Sequence, residues 1–280
     1  MKENLKKYWQ AFLIETFLFS LTVSLGIIGT IKREELLKGS SVSVPSISIK
    51  SFVIQFSVIS LFVFLVVKFL KKKSHKETLF KSLFIFSIFT GGVLMLDVWF
   101  SDISSLFLMA GLMFLLKRKK SVFLHNLCVV LGIAGTISIA GLSITPKTIV
   151  VLLVLFSIYD FIAVYKTKHM IMMAKSMIES GAILGLIIPH RFAGLNKKTD
   201  NINKDWAFVL GGGDVAFPLL LICSLVSYGV FSSVIVSIFS LMGLLFSFLI
   251  FLKQKEKKAI PALPPIALFS ILGYLFVRFF

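Results

Sequence analysis

Acidic residues are scarce in this chain: 13 Asp and Glu stand against 30 Lys and Arg in 280 residues, and charges of both signs make up only 15% of it. A chain so poor in charge does not have the composition of a soluble globular domain, which excludes an ordinary soluble enzyme or binding module. Cysteine is limited to Cys128 and Cys223, both within apolar runs. That excludes a disulfide framework and a cysteine metal cluster, and both residues read as packing side chains. Histidine occurs four times. His125 and His169 have no Cys, His or acidic neighbour at ligand spacing, so they read as interfacial side chains and no metal or other cofactor is implied.

Hydrophobic residues fill the space that charge leaves. They make up 57% of the chain, 30 of them Phe, and the mean hydropathy is +0.96. These values describe an integral membrane protein. The net charge of +17 does not point to nucleic acid, because the cations sit in short clusters between apolar runs rather than along one soluble face. A membrane-spanning helix needs roughly 20 apolar residues. On that criterion spans fall near 11–31, 51–70, 79–98, 102–116, 121–143, 148–165, 207–229, 230–252 and 259–280, which predicts an all-α multi-pass membrane protein of about nine transmembrane helices. The first run, behind Lys2, Lys6 and Lys7, is too long for a signal-peptide core and reads as an uncleaved helix.

Within one membrane domain over 1–280, residues 1–165 carry the first six helices and 207–280 the last three. Residues 166–206 read as a mobile cytoplasmic or interfacial connection, with an interfacial helix over 170–189 and a polar flexible loop over 190–205. Nine spans put 24 of the 30 Lys and Arg on the face that carries the N-terminus and six on the other. The positive-inside rule then makes the N-terminus cytoplasmic and the C-terminus external, in the cell membrane.

An ionisable group at a helix centre in hydrocarbon costs about 2.5–3.5 kcal/mol by insertion scales, so each one is a functional candidate. Four acids lie in or beside the spans. Glu15 and Asp97 are near span ends and read as interfacial or helix-pairing residues. Asp160 is six residues from the end of the sixth span and Asp214 eight past Trp206, about 9 and 12 Å at the helical rise. Two antiparallel neighbouring helices thus carry carboxyls at similar depth. Facing carboxyls cannot both ionise readily and share a proton. One can then take a proton from water while the other polarises a scissile carbonyl, which is peptide hydrolysis without a covalent intermediate.

Gly211, Gly212 and Gly213 remove side chains beside Asp214, so a substrate backbone can approach, and Pro218 has no N–H for the Asp214 carbonyl. Tight packing of helices through small residues is the competing explanation of the glycines. After Lys258 the chain reads Ala259-Ile260-Pro261-Ala262-Leu263-Pro264-Pro265. Three prolines there predict either extended backbone able to hold an unwound substrate strand or a proline-rich helix start.

Tyr159-Asp160, Gly211-x-Gly213-Asp214 and Pro261-Ala262-Leu263, in order on three successive segments, resemble the three signatures of the presenilin and signal peptide peptidase family of intramembrane aspartyl proteases. Span count and pattern extend the resemblance over the whole chain, while the motifs lie in its second half. It implies a presenilin-like nine-helix fold, Asp160 and Asp214 as the catalytic dyad, and Tyr159, Gly211, Gly213, Pro261, Ala262 and Leu263 as substrate-binding or active-site support. The N-in orientation is similar to presenilin's and opposite to that of signal peptide peptidase. Residues 166–206 are short beside the loop that presenilins cleave in themselves, which implies an active single chain without required self-cleavage or obligatory partner subunits. The compact size resembles archaeal homologues.

The implied substrates are transmembrane helices that enter from the lipid bilayer and unwind near the dyad, and residues 166–206 are expected to order on them. An ion- or proton-coupled transporter or channel could also use paired intramembrane aspartates beside broken helices, but no internal inverted repeat is visible. A prepilin-type peptidase shares the Gly-x-Gly-Asp motif but not the late Pro-Ala-Leu element. A purely structural scaffold leaves both buried carboxyls unexplained.

Overall fold

A computed structural model describes all residues except 1, 40–46, 70–72, 168–169, 171–176, 179–180, 182, 200–201, 203–205, 255–259 and 280. His169 is outside the described residues. Among those described there are nine α-helices. They are α1 (Lys2–Gly39), α2 (Ile49–Phe69), α3 (Lys73–Leu96), α4 (Asp102–Lys119), α5 (Val122–Ser143), α6 (Pro146–Phe161), α7 (Gly212–Ser224), α8 (Val230–Lys253) and α9 (Leu263–Phe279). Strands β1 (Gly185–Pro189) and β2 (Ala207–Gly211) form a two-stranded antiparallel sheet. By length and composition α1 from Tyr8, α5, α6 with its C-terminal turn to Lys166, and α8 can each cross a bilayer, while α3, α7 and α9 supply shorter apolar helices. At 18 residues, α4 is about 27 Å long, just short of a hydrocarbon core of about 30 Å.

Local chemistry sets several of the boundaries. Thr145 caps α6 by accepting from the Thr148 N–H at 3.4 Å, and Pro146 follows at the first helical position, where its missing donor costs nothing. At its other end α6 passes into one π-helical turn over Ile162–Lys166, where the Thr167 N–H donates to the Ile162 carbonyl. Lys120, at φ 50°, ends α4 in the left-handed region and donates its N–H to the Leu116 carbonyl.

Three contacts hold the bundle around α5. The α3 and α5 backbones meet at glycines: a Cβ at Gly135 would overlap the Gly91 carbonyl, and one at Gly91 would overlap the Gly132 carbonyl. A Cβ on Gly141 would meet the Cys223 Cβ at 2.5 Å, so α5 also lies close against α7. Near the end of α1, the Arg33 guanidinium donates to Ser138 Oγ at 2.8 Å, to Asp97 Oδ1 at 2.7 Å and to the Leu94 carbonyl. Asp97 is therefore a helix-pairing residue that joins α1 to the end of α3. Cys128 and Cys223 are buried and free.

The region before α7 departs from the sequence-based expectation. The seventh apolar segment is not one helix from Ala207: residues 207–211 are β2, and the helix begins at Gly212. Within 170–189, expected as an interfacial helix, residues 185–189 are β1, and the polar stretch after it contains a short 3-10 helix at Phe192–Asn196. Short apolar strands and helix segments look alike in hydropathy, and long-range pairing decided the outcome. An extended residue rises about 3.3 Å and a helical one 1.5 Å, so the helical rise does not measure the depth of Asp214 from Trp206.

The glycine contact yields a direct test. A methyl at Gly135 is driven into fixed backbone, whereas Gly111 faces open space. Gly135→Ala is expected to destabilise the folded protein by about 1–3 kcal/mol, and Gly111→Ala to leave it unchanged or up to about 1 kcal/mol more stable. Thermal unfolding in detergent of the two variants measures the difference.

Candidate active site

Asp160 lies in the last turn of α6 and Asp214 in the first turn of α7, and both are buried, 4% and 7% exposed. One turn before Asp160, Phe156 stacks on Phe217, three residues after Asp214, with ring centroids 4.3 Å apart and planes 24° from parallel. The stack pins the two helices side by side. It leaves the carboxyls close enough to interact electrostatically. Neither Asp160 oxygen has a hydrogen-bond partner. The backbone N–H of Leu263 lies near that carboxyl without reaching hydrogen-bond geometry.

The glycines of the motif are not equivalent. A Cβ on Gly211 would stand 2.9 Å from Asp214 Oδ2, so a side chain there would press on the carboxyl where it folds back over the end of β2. Gly212 donates its N–H to the Leu184 carbonyl at 3.0 Å, which ties the start of α7 to the residue before β1. A Cβ on Gly213 would meet only the Phe217 ring at 3.4 Å, an ordinary contact, and Gly213 is exposed. Pro218 is buried inside α7, and the Asp214 carbonyl gains no intrahelical donor from it.

The Pro-Ala-Leu element divides at its last residue. Pro261 and Ala262 precede α9, while Leu263, Pro264 and Pro265 form its first turn, where the N–H groups need no intrahelical acceptor. Only the first of the three prolines therefore lies outside the helix, and the other two form the proline-rich helix start. Its position is set from α8: a Cβ on Gly243 would come within 2.7 Å of Ile266 Cα and 2.8 Å of the Pro265 carbonyl. Tyr159 is 59% exposed and points away from the buried side of α6 that carries Asp160.

Two residues read from sequence as interfacial belong to this neighbourhood. Glu15 is 6% exposed, its Oε2 has no partner, and its carboxyl lies near enough to Asp214 to interact electrostatically. Because α1 begins at Lys2 and packs against α7, Glu15 is well inside the helix rather than at its end. His125 is buried on α5, with Nε2 3.1 Å from the Gly185 carbonyl. Beside it, Asn126 donates Nδ2–H to the Ile187 carbonyl at 2.7 Å and accepts the Ile187 N–H at 2.8 Å. Burial of a polar pair on an apolar helix was the available signal for Asn126, but its partner is 61 residues away and invisible to local patterning.

An apolar cavity of about 280 Å³ adjoins the motif. Gly212, Gly213 and Ala216 line one wall, and Phe84, Ile88 and Ile133 of α3 and α5 line another.

Comparison with known proteins agrees with the fold. Two solved structures in different crystal forms, each described as a presenilin family intramembrane aspartate protease, superpose on nearly the whole chain. The first has a TM-score of 0.64 at 22% identity, with 95% of this chain and 97% of that one covered. The second has a TM-score of 0.59 at 24% identity, with 94% and 95% covered. At such identities the likeness shows the fold. A search of curated proteins gives no match. The family profile described as signal-peptide peptidase, presenilin aspartyl protease matches residues 14–280, and the chain belongs to this family of intramembrane peptide hydrolases.

Proposed function

We propose that Asp160 and Asp214 are the catalytic dyad with which this intramembrane protease hydrolyses peptide bonds within transmembrane helices of its substrates. The observation that carries the assignment is the pairing of two buried carboxyls across the Phe156–Phe217 stack, one at the end of α6 and one at the start of α7. Two carboxyls held that close share one proton across a water molecule. The ionised group takes a proton from the water as it attacks the scissile carbonyl, and the protonated group donates to the carbonyl oxygen. The tetrahedral intermediate collapses as a carboxyl returns a proton to the leaving amine, and the C–N bond breaks to give an acid and an amine. No covalent intermediate forms.

A helical substrate shields its carbonyls in its own hydrogen bonds, so it must unwind. Among the described residues the outer main-chain edge of β2 has no partner strand, which supports a place for the unwound substrate there. Ile187 spends both backbone groups on Asn126, so it and Val209 form a non-hydrogen-bonded pair, and the Val209 N–H and C=O point away from β1. That edge runs directly into Gly211 and Asp214. Pro261 and Ala262 flank the Asp160 side as support, Gly211 keeps room for the Asp214 carboxyl, and Gly213 leaves the approach open. Tyr159, exposed on the other side of α6, contacts substrate or lipid rather than the dyad.

The loop charges support a cytoplasmic N-terminus, an external C-terminus and a position in the cell membrane. The single chain is active without required self-cleavage or an obligatory partner subunit.

Purified protein reconstituted with a fluorescent transmembrane peptide tests the dyad. Asp160→Ala and Asp214→Ala are each expected to reduce cleavage to the uncatalysed background, and persistent cleavage in either variant contradicts the assignment. Gly211→Ala displaces the Asp214 carboxyl and is expected to lower kcat by about 10²-fold, whereas Gly213→Ala stays within a few-fold of wild type. Equal losses in the two glycine variants would show that the carboxyl does not fold back over Gly211. Orientation is tested by single cysteines at Leu36 and Lys119 in intact cells. A membrane-impermeant maleimide is expected to label the first directly and the second only after permeabilisation.

A further inference from the structure

We infer that Asn126 is a positioning residue that sets which substrate bond is presented to the aspartates, because it acts as a surrogate strand that fixes β1 to α5. This inference rests on the proposal above that the unwound substrate pairs with the free edge of β2.

The outer edge of β1 is closed at Gly185 and Ile187 and lacks a donor at Pro189. The Gly185 N–H donates to the Ile183 carbonyl at 3.0 Å, and its own carbonyl lies 3.1 Å from His125 Nε2. Ile187 gives both its N–H and its carbonyl to the Asn126 amide, as it would to a neighbouring strand. Pro189 faces outward with no N–H to offer. The Asn126 amide meets one donor and one acceptor of the same residue, and turning it over would break both bonds, so its orientation is determined.

The inner pairs follow the same register. The Gly212 N–H meets the Leu184 carbonyl at 3.0 Å at one end of the sheet, and the His190 N–H meets the Trp206 carbonyl at 2.7 Å at the other. Between them Leu186 pairs with Leu210 and Ile188 with Phe208, while Ile187 and Val209 turn their main chains outward on opposite edges. A Cβ on Gly185 would overlap the Leu210 carbonyl, so the two strands cannot slide without a clash.

A rigid line of reference therefore runs from α3 to the catalytic end of β2. Glycine contacts fix α5 against α3, Asn126 fixes β1 along α5, the sheet register fixes β2, and β2 continues into Asp214 after two residues. A substrate strand on Val209 inherits this register. Releasing Ile187 from Asn126 lets the sheet shift relative to α5 and α7, so bonds on either side of the normal one come into reach.

Mass spectrometry of the products of one transmembrane peptide reads this directly. Wild type is expected to give one dominant cleavage position. Asn126→Leu, which removes donor and acceptor together at similar size, is expected to lower kcat/KM by about tenfold and to spread cleavage over neighbouring bonds. Asn126→Asp, a milder change, is expected to spread it less. Gly273→Ala serves as the control, since it strains the α8–α9 contact at Phe239, which is no part of this line, and is expected to lower the unfolding temperature with the cleavage position unchanged.

If both Asn126 variants cleave at the wild-type position alone, the inference is overturned. A peptide whose amides facing Val209 are replaced by esters tests the underlying reading separately. Insensitivity of wild-type cleavage to the ester removes strand pairing itself, whereas sensitivity together with unchanged Asn126 products removes only the role of Asn126.

Discussion

Keeping carboxyls inside an apolar bundle is the constraint on which this molecule is built. A buried ionisable group in a membrane is costly, and three of them, Asp160, Asp214 and Glu15, gather around the junction of α1, α6 and α7. The described residues provide no cation to pair with them there. Arg33 is committed instead to Asp97 beyond the end of α3, where the ion pair holds helices together. The carboxyls are left to one another and to water. That is an unfavourable arrangement for stability and a useful one for hydrolysis, and the rest of the fold supplies the rigidity that holds it.

The rigidity comes from backbone contact more than from side-chain bulk. Gly91, Gly132 and Gly135 bring α3 and α5 together, Gly141 brings α5 to α7, and Gly243 brings α8 to the start of α9. Serine hydroxyls complete the α8–α9 seam, with Ser240 and Ser270 2.7 Å apart. Small residues of this kind suit packing without a hydrophobic driving force. Gly211 serves a different purpose, since the space it leaves is filled by the Asp214 carboxyl rather than by another helix.

The sequence carried the bundle and the aspartates but not the sheet. Long apolar runs and clustered cations reveal helices because each span is a local property. Each of the three signatures is likewise a run of two to four residues readable without the fold, and the family profile agrees with the family that they resemble. Strands β1 and β2 escaped because Gly185–Pro189 and Ala207–Gly211 are short, apolar and adjacent to helical stretches, and their pairing across an intervening loop leaves no periodic trace. Glu15 lies deeper than hydropathy alone suggests, because α1 starts at Lys2, ahead of the first apolar run, and carries the acid inward. Asn126 was missed for the opposite reason: a polar residue on an apolar helix has no visible purpose until the strand that it completes is known.

The central claim is that Asp160 and Asp214 work as one unit on one water molecule. Its most direct test is the binding of a peptide analogue that carries a hydroxyl in place of the tetrahedral carbon's attacking water, measured for wild type, Asp160→Asn, Asp214→Asn and the double variant. Two carboxyls that grip a single hydroxyl lose their function together, so each single substitution should cost nearly as much affinity as both combined. Losses that add across the two substitutions would show that the aspartates act independently, and the dyad would have to be abandoned.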